Sequence, residues 1–379
     1  MTEPAVLSEL DTPALLVERG KVEANAARMR AHIESLGSKL RLHVKTAKCL
    51  EVTRMVAGQG GPITVSTLKE AEVFASHGYR DILYGVAFAP GKLARALNVV
   101  RSGVKLTIVL DSLEAARLLA DAMKGRTEKL PVLVEIDCDG HRSGLRPDDP
   151  EILAIARALA GTGAEVSGVM THAGGSYDCR SIDAIRAIAA KERASVVDAA
   201  ARLRAAGYAA PVVSVGSTPT ATYGESLAGV TEVRAGVFVF FDLVMAGIDV
   251  CRIEDIALSV LGTVIGHQRK KGWILTDAGW MAMSRDRGTA KQPVDQGYGI
   301  VCDAAGRPIE GLIVSDASQE HGIISHRSGD PARMPDLPVG TRLRILPNHA
   351  CATAAQYEKY SVLDGSDRIA DTWERFSGW

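Results

Sequence analysis

The chain has 379 residues, a formal net charge of −1 and a sequence pI near 6.8. That length exceeds one ordinary core and suits a ~250-residue barrel with a smaller second domain. The balanced charge excludes an electrostatic nucleic-acid binder, which carries a basic excess, and no apolar run reaches membrane-spanning length. The opening Met1-Thr2-Glu3-Pro4 has neither the basic nor the apolar part of a signal peptide. Cysteines 49, 138, 179, 251, 302 and 351 are scattered, without a CxxC pair or a disulfide-framework spacing. Reduced thiols in a cytoplasm are expected.

In chain order, residues 1–20 read as an N-terminal segment packing with the second domain. Lys21–Leu36 follows as a helix with Val22, Ala26, Met29 and Ile33 on one face. From there short apolar runs alternate with helix-period segments. The predicted strands are Leu40–Lys45, Ile63–Thr67, Asp81–Val86, Lys105–Asp111, Leu130–Asp137, Val166–His172, Val212–Gly216 and Glu232–Phe240. Most are Val/Ile/Leu runs without alternation, as parallel strands buried on both faces should be. Leu68–His77, Leu113–Met123 and Ile182–Ala206 are predicted helices between them. Eight such strands predict a (β/α)8 TIM barrel over residues 21–250. The alternative is an open doubly wound sheet, but no GxGxxG opens the first unit. Beyond residue 250, Leu258–His267, Trp273–Asp277, Gly311–Val314 and Arg342–Leu346 read as short strands with little helix, so residues 251–379 are predicted to form an all-β domain.

The chemically unusual residues collect at the strand C-termini, where barrel active sites lie. Lys45 ends the first strand; a long stem and a readily lost proton suit a lysine to Schiff-base chemistry, although a snorkelling surface lysine has the same look. Ser66 and Thr67 end the second strand. Arg142 follows the fifth, His172 and Tyr177 the sixth, and Gly216-Ser217-Thr218-Pro219 the seventh. In that last segment a glycine admits a ligand, hydroxyls cap a helix and Pro219 suits its first turn, so the amides form an anion site or an ordinary cap. If only ligand approach depends on Gly216, a bulky residue there should weaken anion binding and spare the fold. Gly236, after Arg234 in the eighth strand, would add backbone amides to the same anion. Arg234 itself is read either as a site residue or as a structural partner of a barrel carboxylate. His349 and Cys351, two apart on a segment expected to be extended, would point the same way and could share a metal; from the pair alone, a buried cysteine beside a hydrogen-bonded histidine is the preferred reading.

These motifs in this order closely resemble the pyridoxal phosphate (PLP)-dependent fold-type III lyases. The resemblance rests on Asp11-Thr12-Pro13-Ala14, His43-Val44-Lys45-Thr46, Ile63–Thr67, Asp139–Gly144, Thr171–Tyr177, Gly216–Thr220, Asp277–Asp286, Pro347–Cys351 and Trp373-Glu374-Arg375. That family unites D-serine dehydratases, D-threonine aldolases and D-threo-3-hydroxyaspartate dehydratases on an alanine-racemase-like fold, and the likeness is nearest its 3-hydroxyaspartate dehydratase branch.

The resemblance implies that Lys45 carries PLP as a Schiff base and later removes the substrate α-proton. Ser66, Arg142, His172, Tyr177, Gly216, Ser217, Thr218 and Gly236 would bind the cofactor, with Arg142 or Arg234 facing the pyridine nitrogen. His349 and Cys351 would hold Zn2+, a site that Mn2+, Co2+ or Mg2+ can also fill. The implied reaction converts a D-3-hydroxy amino acid to a 2-oxo acid and ammonia: D-threo-3-hydroxyaspartate to oxaloacetate, or D-serine to pyruvate. A cytoplasmic homodimer is implied as well. A retro-aldol D-threonine aldolase is the nearest alternative, but the aldolases compared carry Asp where Cys351 stands. A non-enzymatic PLP carrier, which shares the barrel, generally lacks the β domain. Arg285 and Arg287 are candidates for a second substrate carboxylate.

Overall fold

The computed structural model describes residues 6–379, so residues 1–5 of the expected N-terminal segment lie outside the described residues. The chain folds as two units, one of residues 27–48, 53–236 and 378–379, the other of residues 6–26, 49–52 and 237–377. It passes between them at Gly236–Val237, whereas the sequence reading put the border near residue 250. The last barrel strand stops at Ala235. Beyond it, Phe240 accepts a hydrogen bond from Ala257 N at 2.8 Å and packs on Tyr360, with ring centroids 5.5 Å apart. Among the described residues no helix is long and apolar enough to cross a membrane.

Strand β1 (Ala14–Glu18) belongs to the second unit and leads into the helix Arg19–Ser35, in which Val22, Ala26, Met29 and Ile33 are all buried. The barrel strands are β2 (Lys39–His43), β3 (Ile63–Val65), β4 (Asp81–Ala87), β5 (Lys105–Leu110), β6 (Leu130–Ile136), β7 (Ala164–Thr171), β8 (Val212–Val215) and β9 (Glu232–Ala235). Each pairs in parallel with the next, and β9 returns to β2 to close the barrel. Burial on both faces explains the unbroken apolar runs. Leu83, Val109, Leu133 and Met170, from four consecutive strands, form one buried cluster.

The helices between strands start where side-chain caps start them. Thr67 Oγ1 accepts from Glu70 N at 3.1 Å, Ser112 Oγ from Ala115 N at 3.3 Å and Ser181 Oγ from Ala184 N at 3.2 Å. Helices Leu50–Ala57, Leu93–Arg101 and Glu151–Leu159, which the sequence reading did not name, complete the alternation.

Several predicted strands are too long at their C-terminal ends. β2 ends at His43, not Lys45, and β3 at Val65, because Thr67 leaves the ladder to cap a helix. β9 ends at Ala235, followed by a 3-10 turn over Val237–Val239. Each shortening puts its chemical residues in the rim turn, not in the strand.

The second unit is a nine-stranded sheet. Its further strands are β10 (Leu258–Gln268), β11 (Trp273–Thr276), β12 (Gly299–Cys302), β13 (Pro308–Ala317), β14 (Gly322–His326), β15 (Arg342–Pro347), β16 (Lys359–Leu363) and β17 (Ile369–Glu374), in the order β11-β14-β13-β12-β15-β10-β1-β16-β17. β11 also pairs with β10. β13 and β14 alternate buried and solvated positions, as antiparallel strands with one wet face do. Leu7, Leu16, Leu261, Leu363 and Ile369 form one of its core clusters. Strands β1, β12, β14, β16 and β17 escape the sequence reading, since an apolar run as short as Lys359–Leu363 does not distinguish strand from helix.

Candidate active site

Because all eight barrel strands run the same way, the turns after them share one rim. Lys45 follows β2, Ser66 follows β3 and Arg142 follows β6. His172 and Tyr177 follow β7, Gly216-Ser217-Thr218 follow β8 and Gly236 follows β9. The pair His349 and Cys351 lies in the other unit.

The two neighbouring lysines sit in different environments. Lys48 has a positive φ of 46° and pairs with the buried Glu70, Nζ to Oε1, at 3.1 Å. Glu70 also accepts from Ser66 N at 2.9 Å, so the Ser66 amide is occupied. Lys45 is exposed in the turn, and no ion pair at it is found among the described residues. Its ammonium is close enough to act on two histidines. Burial, then Lys45, pushes the His172 pKa down to about 3, against the opposing hydrogen bond to the Gly216 carbonyl. Burial and Lys45 likewise hold His43 well below the usual imidazole value. Both rings are therefore neutral at physiological pH, and His172 Nδ1 donates to Gly216 O at 2.6 Å. Its ring centroid lies 6.1 Å from that of Tyr177. Two buried polar atoms at the same barrel end, His43 Nδ1 and Thr64 Oγ1, have no hydrogen-bond partner.

After β8, Ser217 caps the short helix Thr218–Tyr223: its Oγ accepts from Thr220 N at 3.2 Å and lies 2.9 Å from Ser176 Oγ. The first-turn amides have no carbonyl within the helix to donate to. Beneath this segment sits Glu192, buried in the helix Ile182–Ala205. Its Oε1 accepts from Ala173 N and from Gly216 N, each at 3.1 Å, tying the turn after β7 to the turn after β8. Burial raises the Glu192 pKa, while Thr220, those two amides and Arg234 oppose the rise.

Gly216 carries a structural constraint as well. A Cβ there would fall 1.9 Å from the Arg234 carbonyl oxygen, so the neighbouring strand itself requires glycine. The expectation that bulk at Gly216 spares the fold is therefore corrected. At Gly236 a Cβ would fall 2.6 Å from His43 O.

The two arginines differ. Arg234 is buried; its Nη1 donates to Ser214 Oγ at 2.5 Å and its Nη2 to the Thr171 carbonyl. Ser214 Oγ donates in turn to Glu232 Oε1 at 2.7 Å, and Glu232 pairs with Arg41 at 2.7 Å. Arg142 is mostly exposed, with Nη2 3.4 Å from Glu135 Oε1, in a loop stitched by Asp139 Oδ2 accepting from Gly175 N at 2.8 Å. Both arginines act on His172 electrostatically.

In the β unit the expected extended segment is interrupted. His349 is extended, at φ −135° and ψ 111°, but Cys351 lies in the short helix Ala350–Ala354. The turn still brings thiol and imidazole together as hydrogen-bond partners. His349 Nδ1 also lies 2.6 Å from Asp286 Oδ2. Burial lowers the His349 pKa, but Cys351, Asp286 and Asp242 outweigh it and push the value up to about 11. Among the described residues no cluster of three or more His, Cys, Asp or Glu is arranged to hold a metal. Nearby, Arg287 pairs with Asp295 at 2.7 Å, while Arg285 lies 4.9 Å from the Trp280 ring centroid.

Sequence reasoning gave no role to His43, Glu192 or Asp286. His43 had a usable signal, standing two residues before Lys45. Glu192 and Asp286 had none, because their partners lie 19, 24 and 63 positions away.

The profile of the alanine racemase N-terminal domain matches residues 17–244, and that of a putative serine dehydratase domain matches residues 257–363. The chain is similar to D-threo-3-hydroxyaspartate dehydratase of Delftia sp. strain HT23, with 53% identity over 98% of this chain and 99% of that one. In three dimensions it is similar to a histidine-to-alanine variant of a D-threo-3-hydroxyaspartate dehydratase, with TM-score 0.96, 51% identity and coverage of 100% of this chain and 98% of that one. It is also similar to a cysteine-to-alanine variant described as the metal-free form, with TM-score 0.95, 52% identity and coverage of 99% and 100%. The replaced histidine and cysteine are numbered two apart, the spacing of His349 and Cys351.

Proposed function

The chain belongs to the alanine racemase-like, PLP-dependent family of D-serine dehydratases and D-threonine aldolases, and from that premise we propose that it is a metal-dependent dehydratase of D-3-hydroxy amino acids. D-threo-3-hydroxyaspartate is the favoured substrate, giving oxaloacetate and ammonia; D-serine would give pyruvate. The observation that carries this reading is the full-length, 53% likeness to a dehydratase, joined to a thiol at Cys351 beside His349.

The rim fits the cofactor. Orphaned His43 Nδ1 and Thr64 Oγ1 call for a polar guest, as buried polar groups without partners do. The Thr218 helix start and the turn at Gly236 offer amides to a phosphate. Imidazole plus thiol fits a borderline-soft ion, for which zinc is our choice over manganese, cobalt or magnesium. When bound, PLP acidifies the substrate Cα–H bond and the metal, as a Lewis acid, eases departure of the β-hydroxyl.

The residues divide the remaining work. Lys45 Nζ would hold the cofactor and, as a free amine, would take the Cα proton. Lys48 is unsuited to that role because Glu70 holds its ammonium. Neutral His172, with Nδ1–H given to Gly216 O, and Tyr177 would hold the ring. Ser66, Ser217, Thr218, Gly216 and Gly236 would hold the phosphate. Arg142, the more exposed arginine, is free to turn toward the ring nitrogen, whereas Arg234 is held by Ser214 and the Thr171 carbonyl. His349 and Cys351 hold the ion. No disulfide joins the cysteines among the described residues, which suits a reducing cytoplasm, and the family resemblance suggests a homodimer, which light scattering will test.

Product analysis with D-threo-3-hydroxyaspartate tests the reading. Oxaloacetate with equimolar ammonia is expected. Glycine with glyoxylate would instead make the protein an aldolase.

A further inference from the structure

We propose that Asp286 is a positioning residue for the metal, holding His349 through Nδ1 so that Nε2 is the nitrogen offered to the ion. The inference rests on the metal-dependent reading above and adds a residue that does not touch the ion. Its first support is the 2.6 Å approach of His349 Nδ1 to Asp286 Oδ2. A carboxylate on the far nitrogen of a metal-binding imidazole fixes both tautomer and ring orientation.

The second support is the way Asp286 is delivered. Ser284, two residues earlier, has φ 70° and ψ 164°, a region that side-chain-bearing residues rarely adopt. Its hydroxyl accepts from Asp286 N at 3.2 Å. Thr353 Oγ1, from the same short helix as Cys351, donates to Met283 O at 2.8 Å, tying the strained turn to the helix that bears the thiol. A casual surface ion pair needs none of this.

The third support is that the His349 backbone is already immobile. On one side buried Asn348 donates through Nδ2 to Gly297 O at 2.6 Å and accepts through Oδ1 from Thr289 N at 2.8 Å. On the other, Ala350 N donates to buried Asp242 Oδ2 at 2.9 Å. Rotation of the imidazole ring is the freedom left, and Asp286 restrains it from Nδ1, beside the hydrogen bond to Cys351. A third metal ligand is not indicated, because no three-residue ligand cluster is found among the described residues.

The test uses PLP-loaded enzyme stripped of metal and titrated with Zn2+ against a competing chelator. Asp286→Ala is expected to weaken zinc binding roughly 10- to 100-fold without moving the unfolding midpoint, since so exposed a pair contributes little to stability. Asp286→Asn keeps an acceptor oxygen without the charge and should fall between parent and Asp286→Ala. Saturated with Co2+, both variants should show the parent's absorption bands and intensities, because the ligands are unchanged. Equal zinc affinity in all three proteins overturns the assignment and leaves a surface ion pair. Altered cobalt bands also overturn it, by making Asp286 a ligand. A parent that binds no metal overturns the metal-dependent reading together with this one.

Discussion

Removing the Glu192 carboxyl should loosen two rim turns at once. Glu192→Ala leaves the Ala173 and Gly216 amides, both donating to Oε1 at 3.1 Å, without an acceptor in a buried site. An orphaned buried donor costs about 1–3 kcal/mol, so the pair predicts a loss of roughly 2–6 kcal/mol. Glu192→Gln keeps an oxygen where Oε1 stands and should lose far less. The pH dependence separates the two further. A carboxyl whose native pKa is raised binds its proton more tightly folded than unfolded, so stability is lost as pH rises from the ordinary value of 4.5 through the native one. Glutamine has no such loss, and Glu192→Gln should gain on the parent as pH rises through that window. Hydrogen exchange read on peptides covering residues 172–178 and 214–220 is the direct assay, with PLP retention alongside it. Faster exchange in both peptides is expected for Glu192→Ala. Unchanged exchange in that variant, or equal damage from Gln and Ala, would refute the reasoning.

Borohydride reduction of the yellow holoenzyme should fix the cofactor mass on Lys45; label on Lys48 would defeat the assignment, despite its ion pair with Glu70. Chelation should abolish ammonia release while leaving cofactor absorbance in place, and Cys351→Ala should be partly rescued by excess metal through His349; full activity in rigorously metal-free enzyme would return both residues to packing. Gly216→Ala should lower stability by about 1–3 kcal/mol or more, since its Cβ falls 1.9 Å from Arg234 O, and an unfolding midpoint like the parent's would contradict that. His172, native pKa about 3 against an ordinary 6.5, stays unprotonated in the native state while the unfolded chain gains a proton. Stability should therefore fall as pH drops below 6.5, by up to about 1.4 kcal/mol per pH unit from this residue, and His172→Asn should flatten the denaturation profile by that amount.

What local chemistry governs was legible along the chain. Unbroken Val/Ile/Leu runs separated by helical segments were enough to count eight barrel strands, because burial on both faces leaves that mark on every strand. The Ser217 cap with Pro219 behind it follows from bonds within three residues. The Lys45 motif and the His349-Cys351 spacing are likewise contiguous. Strand ends were less legible, since Thr67 can extend a strand or cap a helix and its bond to Glu70 decides between them. Contacts between distant residues left no trace in the sequence. Glu70 gives Lys48 a partner, while Lys45 is exposed. Arg234 O closing over Gly216, Glu192 joining two turns and Asp286 meeting His349 across 63 positions exist only once the strands are paired and the loops closed. Such partners are selected by tertiary geometry: a lone Glu or Asp in the sequence has no period, cap or spacing by which its distant partner could be read.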